Sequence, residues 1–335
     1  MCVSSRSISF FLGSFLWLGA TSTGAASTGL ESLGLESPGL ESPDTIFLGA
    51  TSTVVQVRPI QRSIQAPQQT PQQIAQAEAG VAELNRGLQL IQAGQVEGAI
   101  AAFRQAVQVN PQLAPAHYNL GLALRQTGQL QASAESFYRA AQADPGFALA
   151  FANLGAALLE GNNLDIANQY LQRAVQLDPN LGLAYYNLGL VQRRRGNAAA
   201  AIASFQRAAQ LTPTAPEPSY YLGLTYQDQQ QLALAAQAFQ RAIAINPRYA
   251  EAYYSLGSVL MQQGDLGSAL NAFRRSTDAN ATYANAYYGA GLVFLQQQNY
   301  AEAQRVLQHA RDLYSSQGNA QWANSAAQLL QQVPR

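Results

Sequence analysis

Lysine is absent from this 335-residue chain; all 19 basic residues are arginine, balanced by 19 Asp and Glu. Charged residues make up 11% of the sequence, against about 25% in an average soluble chain, and glutamine fills much of the gap. Without lysine no Gly-x-x-x-x-Gly-Lys phosphate loop can exist. The single cysteine excludes an internal disulfide framework and a multi-cysteine zinc or iron–sulfur site. A net charge of zero argues against a nucleic-acid binder, which needs a basic footprint. Only two histidines occur, His117 and His309. Neither stands in a carboxylate or thiol constellation, and no strand pattern carries a dinucleotide fingerprint. The sequence therefore predicts no enzyme, no metal and no cofactor. Hydrophobic residues are 48% of the chain, enough for a sizeable core.

Long apolar runs are also missing, with one short exception. Ile8 to Ala20 is a 13-residue apolar stretch behind Arg6, followed by small residues through Ala26. A helix needs about 20 residues to cross a bilayer core. A positive start, a short apolar stretch and a small-residue exit describe a secretory signal over residues 1–26. The alternative is an uncleaved anchor, the one route to a membrane. Residues 27–70 repeat Gly, Leu, Glu and Ser and then become rich in Gln and Pro. That composition predicts a disordered linker. Export to the periplasm or envelope follows from the signal; a cytoplasmic or anchored chain follows without it.

From Gly80 the chain repeats every 34 residues. A glycine recurs at Gly87, Gly121, Gly155, Gly189, Gly223, Gly257 and Gly291. Sixteen residues after each stands a bulky group: Phe103, Phe137, Leu171, Phe205, Phe239, Phe273 and Leu307. Small residues lie four before and three after that group. Five units end in proline, at Pro111, Pro145, Pro179, Pro213 and Pro247. Apolar positions spaced three and four apart make each unit two amphipathic helices. Gly121 and Ser133 are small enough to let the two helices of a unit approach. Gly128 ends a first helix, and the residue before proline leaves the helical region at the end of the second. Thr70-Pro71-Gln72-Gln73 predicts a capped helix start. Trp322, Leu329, Leu330 and Val333 share one stripe of a closing helix over residues 318–335.

This pattern resembles the tetratricopeptide repeat family over residues 80–317, with units beginning at Gly80, Ala114, Ala148, Gly182, Pro216, Ala250 and Ala284. The resemblance implies an all-α, right-handed α-solenoid of about seven helix-turn-helix units, spanning 71–317 and closed by a capping helix. The aromatic slot at the fourth position never holds Trp, and the last two units lack the final Pro. His117 occupies that slot in unit two and reads as a packed residue.

In the family the first helix of each unit lines an inner groove. Its inner positions place Tyr118, Tyr186, Tyr220, Tyr254 and Tyr288 at the fifth position. Asn85, Asn119, Asn153 and Asn187 stand at the sixth, and Arg125, Arg193 and Arg194 at the twelfth and thirteenth. These are the expected partner-binding residues. A carboxamide carries a donor and an acceptor and can pair with an extended peptide backbone; tyrosines are amphipathic anchors; the arginines suit a carboxylate-bearing partner. The sequence thus predicts a non-catalytic scaffold that binds a peptide or protein segment. The alternative is a self-associating envelope protein, a homo-oligomer favoured by low charge.

Overall fold

The structure, a computed structural model, describes residues 70–334. The expected signal and, Thr70 apart, the expected linker lie outside the described residues. Among the described residues every regular element is an α-helix. In chain order they are α1 (Pro71–Gln92), α2 (Val96–Val109), α3 (Ala114–Gln126), α4 (Leu130–Ala143), α5 (Ala148–Glu160), α6 (Leu164–Leu177), α7 (Gly182–Arg194), α8 (Ala198–Leu211), α9 (Glu217–Asp228), α10 (Leu232–Ile245), α11 (Ala250–Gln262), α12 (Leu266–Ala279), α13 (Ala284–Gln296), α14 (Tyr300–Ser316) and α15 (Ala320–Gln332). Each odd helix packs along the even helix that follows it, and each even helix packs on the next odd one. This is an α-solenoid, in which every pair buries its apolar face against its neighbours.

The helix ends are written in the sequence. Thr70 Oγ1 accepts from the Gln73 amide at 3.3 Å, and the Gln73 side chain accepts from the Thr70 amide at 2.8 Å. This reciprocal cap starts α1. The first helix of every unit ends in the same turn. In unit two the Gly128 amide donates to the Arg125 carbonyl and the Gln129 amide to the Leu124 carbonyl, the Schellman pairing. The turn residue adopts a positive φ at Gly94, Gly128, Gly196 and Gly264, and also at Asn162 (57°), Gln230 (56°) and Gln298 (60°). Between units, the Asn110, Asp144, Asp178, Asn246 and Asn280 side chains each accept from the amide two residues on, at 2.9–3.1 Å. Those caps hold the chain as it enters the next odd helix.

A left-handed backbone costs a non-glycine residue about 1–2 kcal/mol. Gln230→Gly is therefore expected to stabilise the chain, offset in part by the entropy glycine adds to the unfolded chain. A net gain of about 0.5–1 kcal/mol is the expected outcome in urea unfolding; a loss would show that the Gln230 side chain contributes to the turn.

Inside each unit the recurring glycine meets the recurring bulky group. A Cβ on Gly189 would lie 2.6 Å from Cε1 of Phe205, and one on Gly121 would lie 2.7 Å from Cε1 of Phe137. The helices cross so closely that the ring sits on the glycine itself. In unit two Ser133 Oγ also donates to the Gly121 carbonyl at 2.8 Å, so the small residue at this position serves as a polar clip. At the end of the chain α15 packs on α14, and the Trp322 ring lies 5.7 Å from Tyr288 and 6.3 Å from Tyr314. Tyr288 thereby gains an aromatic neighbour where its own unit ends in Gln317 instead of an aromatic residue.

Candidate functional site

The two sides of the stack differ. Most successive odd helices approach one another directly, α5 to α7 and α11 to α13 most closely, and α1 to α3, α7 to α9 and α9 to α11 more loosely, while α3 and α5 stay further apart; among the described residues no pair of even helices comes as near as these. The odd helices therefore form the inner side. Their second positions are partly buried in every unit: Val81, Pro115, Leu149, Leu183, Glu217, Glu251 and Asn285. This stripe is apolar through unit four and turns acidic or polar from unit five on.

The expected tyrosines do not stand on that surface. Tyr118, Tyr186, Tyr220, Tyr254 and Tyr288 are each at most 3% exposed. Tyr118 lies 5.7 Å from Phe137 and 5.0 Å from Phe147. Tyr220 is held in the same way by Phe239 and Tyr249, and Tyr254 by Phe273 and Tyr283. Burial pushes the Tyr118 and Tyr288 hydroxyls up to about 12, because the phenolate would lose its hydration. These rings bond units together; a partner would meet at most their edges.

Three of the four asparagines lie in the same seam. The sixth position faces the preceding unit, as Gly289 shows: a Cβ there would lie 2.7 Å from Phe273, one unit back. Asn119, Asn153 and Asn187 are 2%, 2% and 0% exposed. Asn119 Nδ2 donates to the Pro115 carbonyl at 2.8 Å. Asn153 Nδ2 donates to the Leu149 carbonyl at 3.0 Å and to the Tyr118 hydroxyl at 3.3 Å. For Asn187 the fifth position one unit back is Ala152 in place of a tyrosine, and neither of its side-chain amide atoms has a hydrogen-bond partner. Asn85 alone of the four is exposed; among the described residues no unit precedes it.

The same seam contains a size exchange that sequence reasoning missed. Unit four ends in Ala215, where units two, five and six carry Phe147, Tyr249 and Tyr283. Tyr221, at the sixth position of the next unit, fills the space, 5.8 Å from Tyr186 and 5.9 Å from Phe205. Opposite Tyr283 the sixth position is Gly289. The two positions trade volume across the seam, and the trade is visible only once they are known to touch.

The arginines, too, work between units. Arg125 is 8% exposed and pairs with Glu160 of the next unit. Burial pulls its guanidinium down, with Glu160 opposing. Arg193 donates to Asp228 Oδ2 at 3.0 and 3.1 Å. Arg194 Nη1 donates to the Leu159 carbonyl at 3.0 Å. Each of the two ion pairs runs from a twelfth position to the thirteenth position of the following unit. The expected basic patch is thus engaged in fixing the register of the stack.

The histidines are structural in their surroundings. His117 Nε2 lies 3.0 Å from the Pro111 carbonyl oxygen, which places the ring proton on Nε2. Burial holds its pKa below the usual value. His309 packs edge-on against Tyr287 at 4.5 Å. Among the described residues no three His, Cys, Asp or Glu come together to hold a metal, and no helix is long and apolar enough to cross a membrane.

Comparison with known proteins agrees with this geometry. Models described as "TPR repeat" match residues 87–128 and 226–264, and models described as "Tetratricopeptide repeat" match residues 114–147, 153–216 and 258–318. No curated protein matches the chain. Among solved structures, a tetratricopeptide repeat protein from Parabacteroides merdae is 16% identical with a TM-score of 0.57, over 75% of this chain and 99% of its own. Pseudomonas aeruginosa PilF is 21% identical with a TM-score of 0.55, over 63% of this chain and 96% of its own. YrrB is 28% identical with a TM-score of 0.48, over 58% of this chain and 99% of its own. Helix pairs repeated every 34 residues, a glycine under a ring or a leucine in every unit and the family matches lead to one conclusion: the chain belongs to the tetratricopeptide repeat family, a family of protein-interaction scaffolds.

Proposed function

We propose that the inner side of the odd helices holds an extended peptide or protein segment, and that the chain does no chemistry of its own. The observation that carries this reading is the stripe of partly buried second positions. Val81, Pro115, Leu149 and Leu183 offer apolar contacts at one-unit intervals on the side where odd helices converge. The inter-unit bonds of Asn153, Arg125 and Arg193 support the reading indirectly. They stiffen the surface, and a stiff surface has less ordering entropy to lose on binding. Affinity then rests on the stripe, on Asn85 and on ring edges. Export to the periplasm or envelope belongs to this proposal, through the N-terminal signal; sequencing the mature N-terminus tests it.

Leu149→Asp with Leu183→Asp is the test. Random short peptides displayed on phage are selected on the purified chain and on this variant. Peptides retained by the chain are expected to be lost from the variant, and to be kept by Leu130→Asp with Ile166→Asp on the even helices. Equal loss from both variants would move the site off the inner side.

One observation favours self-association as a second reading. Leu130, Ile166, Leu234 and Tyr300 are 36–47% exposed on even helices, where a second copy could cover them. Sedimentation across a range of concentrations decides it, since a strict monomer removes that reading.

A further inference from the structure

The even helices carry a second regularity. Their twenty-sixth unit position is arginine in five successive units, Arg139, Arg173, Arg207, Arg241 and Arg275, and histidine, His309, in the seventh. Charge is scarce in this chain, at 11% of residues, yet this position keeps one sign from unit two to unit six. Surface charge that serves solubility mixes both signs. Acids are few here. α8 and α10 contain no Asp or Glu, and the single acid of α6, Asp165, sits at the helix start with its Oδ1 3.1 Å from Arg195 Nη2.

The repeat sets these arginines in a row, because units of one length bring each position back along one side of the stack. Two members show where the row runs, against the fourth position of their own units. Arg207 lies over the Tyr185 ring, 5.9 Å from its centroid, and His309 stands edge-on to Tyr287 at 4.5 Å. Neutral groups alone hold Arg207: it donates to the Pro179 carbonyl at 3.3 Å and to Asn180 Oδ1 and Gln210 Oε1 at 3.5 Å. Its charge is oriented but not neutralised. Arg139 meets Glu135 of its own helix at 2.8 Å, with both side chains more than half exposed, so the pair is weak and open to exchange. Arg173, Arg241 and Arg275 are exposed. The exposed residues within one turn of Arg173, Arg207 and Arg241 are all glutamine or alanine, with Gln172, Gln206 and Gln240 directly before the arginines.

Charge and lining together select a partner. The planar guanidinium matches a carboxylate. An exposed carboxamide offers a donor and an acceptor, which is what a hydroxyl group needs. A protein partner calls for an apolar or aromatic anchor at the centre of its interface, and the row provides none. A single-stranded nucleic acid calls for open ring faces, and Arg207 covers Tyr185. We infer that the row binds a linear acidic polysaccharide, a polymer with carboxylates at regular intervals and hydroxyls between them. One polymer reaches several units at once, so contacts that are weak singly act together. This surface is separate from the inner side and does not depend on it.

The test measures binding of polygalacturonate to the purified full chain in about 0.15 M salt. Binding is expected, weaker as salt is raised, and absent with the fully methyl-esterified polymer, which has lost its charge. Arg173→Gln with Arg207→Gln and Arg241→Gln is expected to weaken binding about ten- to hundredfold, as the loss of three exposed charge contacts should. Arg86→Gln with Arg305→Gln and Arg311→Gln removes the same charge off the row and is expected to bind as the native chain does. Thermal midpoints show that the variants fold. Should the loss of Arg207 unfold the first, Arg173→Gln with Arg241→Gln replaces it, with a smaller loss of binding expected. Absence of binding, equal loss from both sets, or binding of the esterified polymer overturns the inference. Tighter binding of poly-L-glutamate, duplex DNA or phosphatidylglycerol vesicles through the same arginines overturns it too, and names an acidic protein, a nucleic acid or a membrane as the partner. Each of these results leaves the inner-side reading to its own test.

Discussion

Gly189→Leu is expected to lower stability by about 3 kcal/mol, the upper end of the usual cost of overpacking or beyond it. The reason is local. Even a methyl group there would press to 2.6 Å from Phe205 Cε1 and 2.7 Å from Cδ1, and leucine adds three carbons behind it. Phe205 is 0% exposed and cannot swing out. Tyr186 and Tyr221 hold it from the other side, at 6.1 and 5.9 Å. Either α7 moves away from α8 or the ring leaves its seat, and both loosen the seam to unit five. Hydrogen exchange should show the loss concentrated in α7, α8 and α9. Adding Phe205→Ala should cost less than the two single changes summed, because it opens the room that the leucine needs. An unchanged thermal midpoint for Gly189→Leu would contradict the ring-on-glycine contact.

The second large effect belongs to the buried ion pair. Glu160→Ala leaves the Arg125 guanidinium, only 8% exposed, without its counter-charge. Breaking a buried pair from one side costs about 3–5 kcal/mol. The Glu160 side chain keeps 22% of its surface in water, which argues for the lower end of that range. Arg125→Met with Glu160→Leu removes both charges and should fall within about 1 kcal/mol of the native chain, since apolar replacement of a buried pair is often neutral or better. Urea unfolding of the native chain, Arg125→Met, Glu160→Leu and the double variant closes the cycle, with Glu160→Ala measured beside it. A single Glu160→Ala change that costs less than about 0.5 kcal/mol would place the pair with ordinary surface bridges.

These two sites show what the sequence makes legible. The glycine-and-ring spacing needs only one unit to be understood, because both partners lie in the same helix pair. It fixes the helix starts to the residue in most units: α3, α5, α7, α11 and α13 begin at the first position of their units. The fate of Tyr118, Asn153 and Arg125 needs two units. On a helix drawn alone the fifth, sixth and twelfth positions face outward and read as groove. Stacking turns the fifth and sixth into the seam, and sends the twelfth toward its neighbour. A signal for this was present. Tyr118 and Asn153, Arg125 and Glu160, and Arg193 and Asp228 are all 35 residues apart, one more than the repeat. Pairs of complementary type at the period plus one mark contacts between successive units. Complementary sizes at Ala215 and Tyr221, against Tyr283 and Gly289, mark the same seam. What remained hidden was exposure, since the second position earns its place on the surface only through the approach of odd helices.

The inner side can be measured directly. Cys2→Ser is the background, and spin labels are placed at Leu183→Cys with Glu251→Cys, on α7 and α11, or at Ala203→Cys with Asn271→Cys, on the exposed faces of α8 and α12. Each pair lies two units apart, and dipolar spectroscopy gives both separations in solution. A shorter distance across α7 and α11 than across α8 and α12 is the expected result, because odd helices converge. Equal distances, or a shorter one across the even helices, would remove the inner side and the binding surface with it.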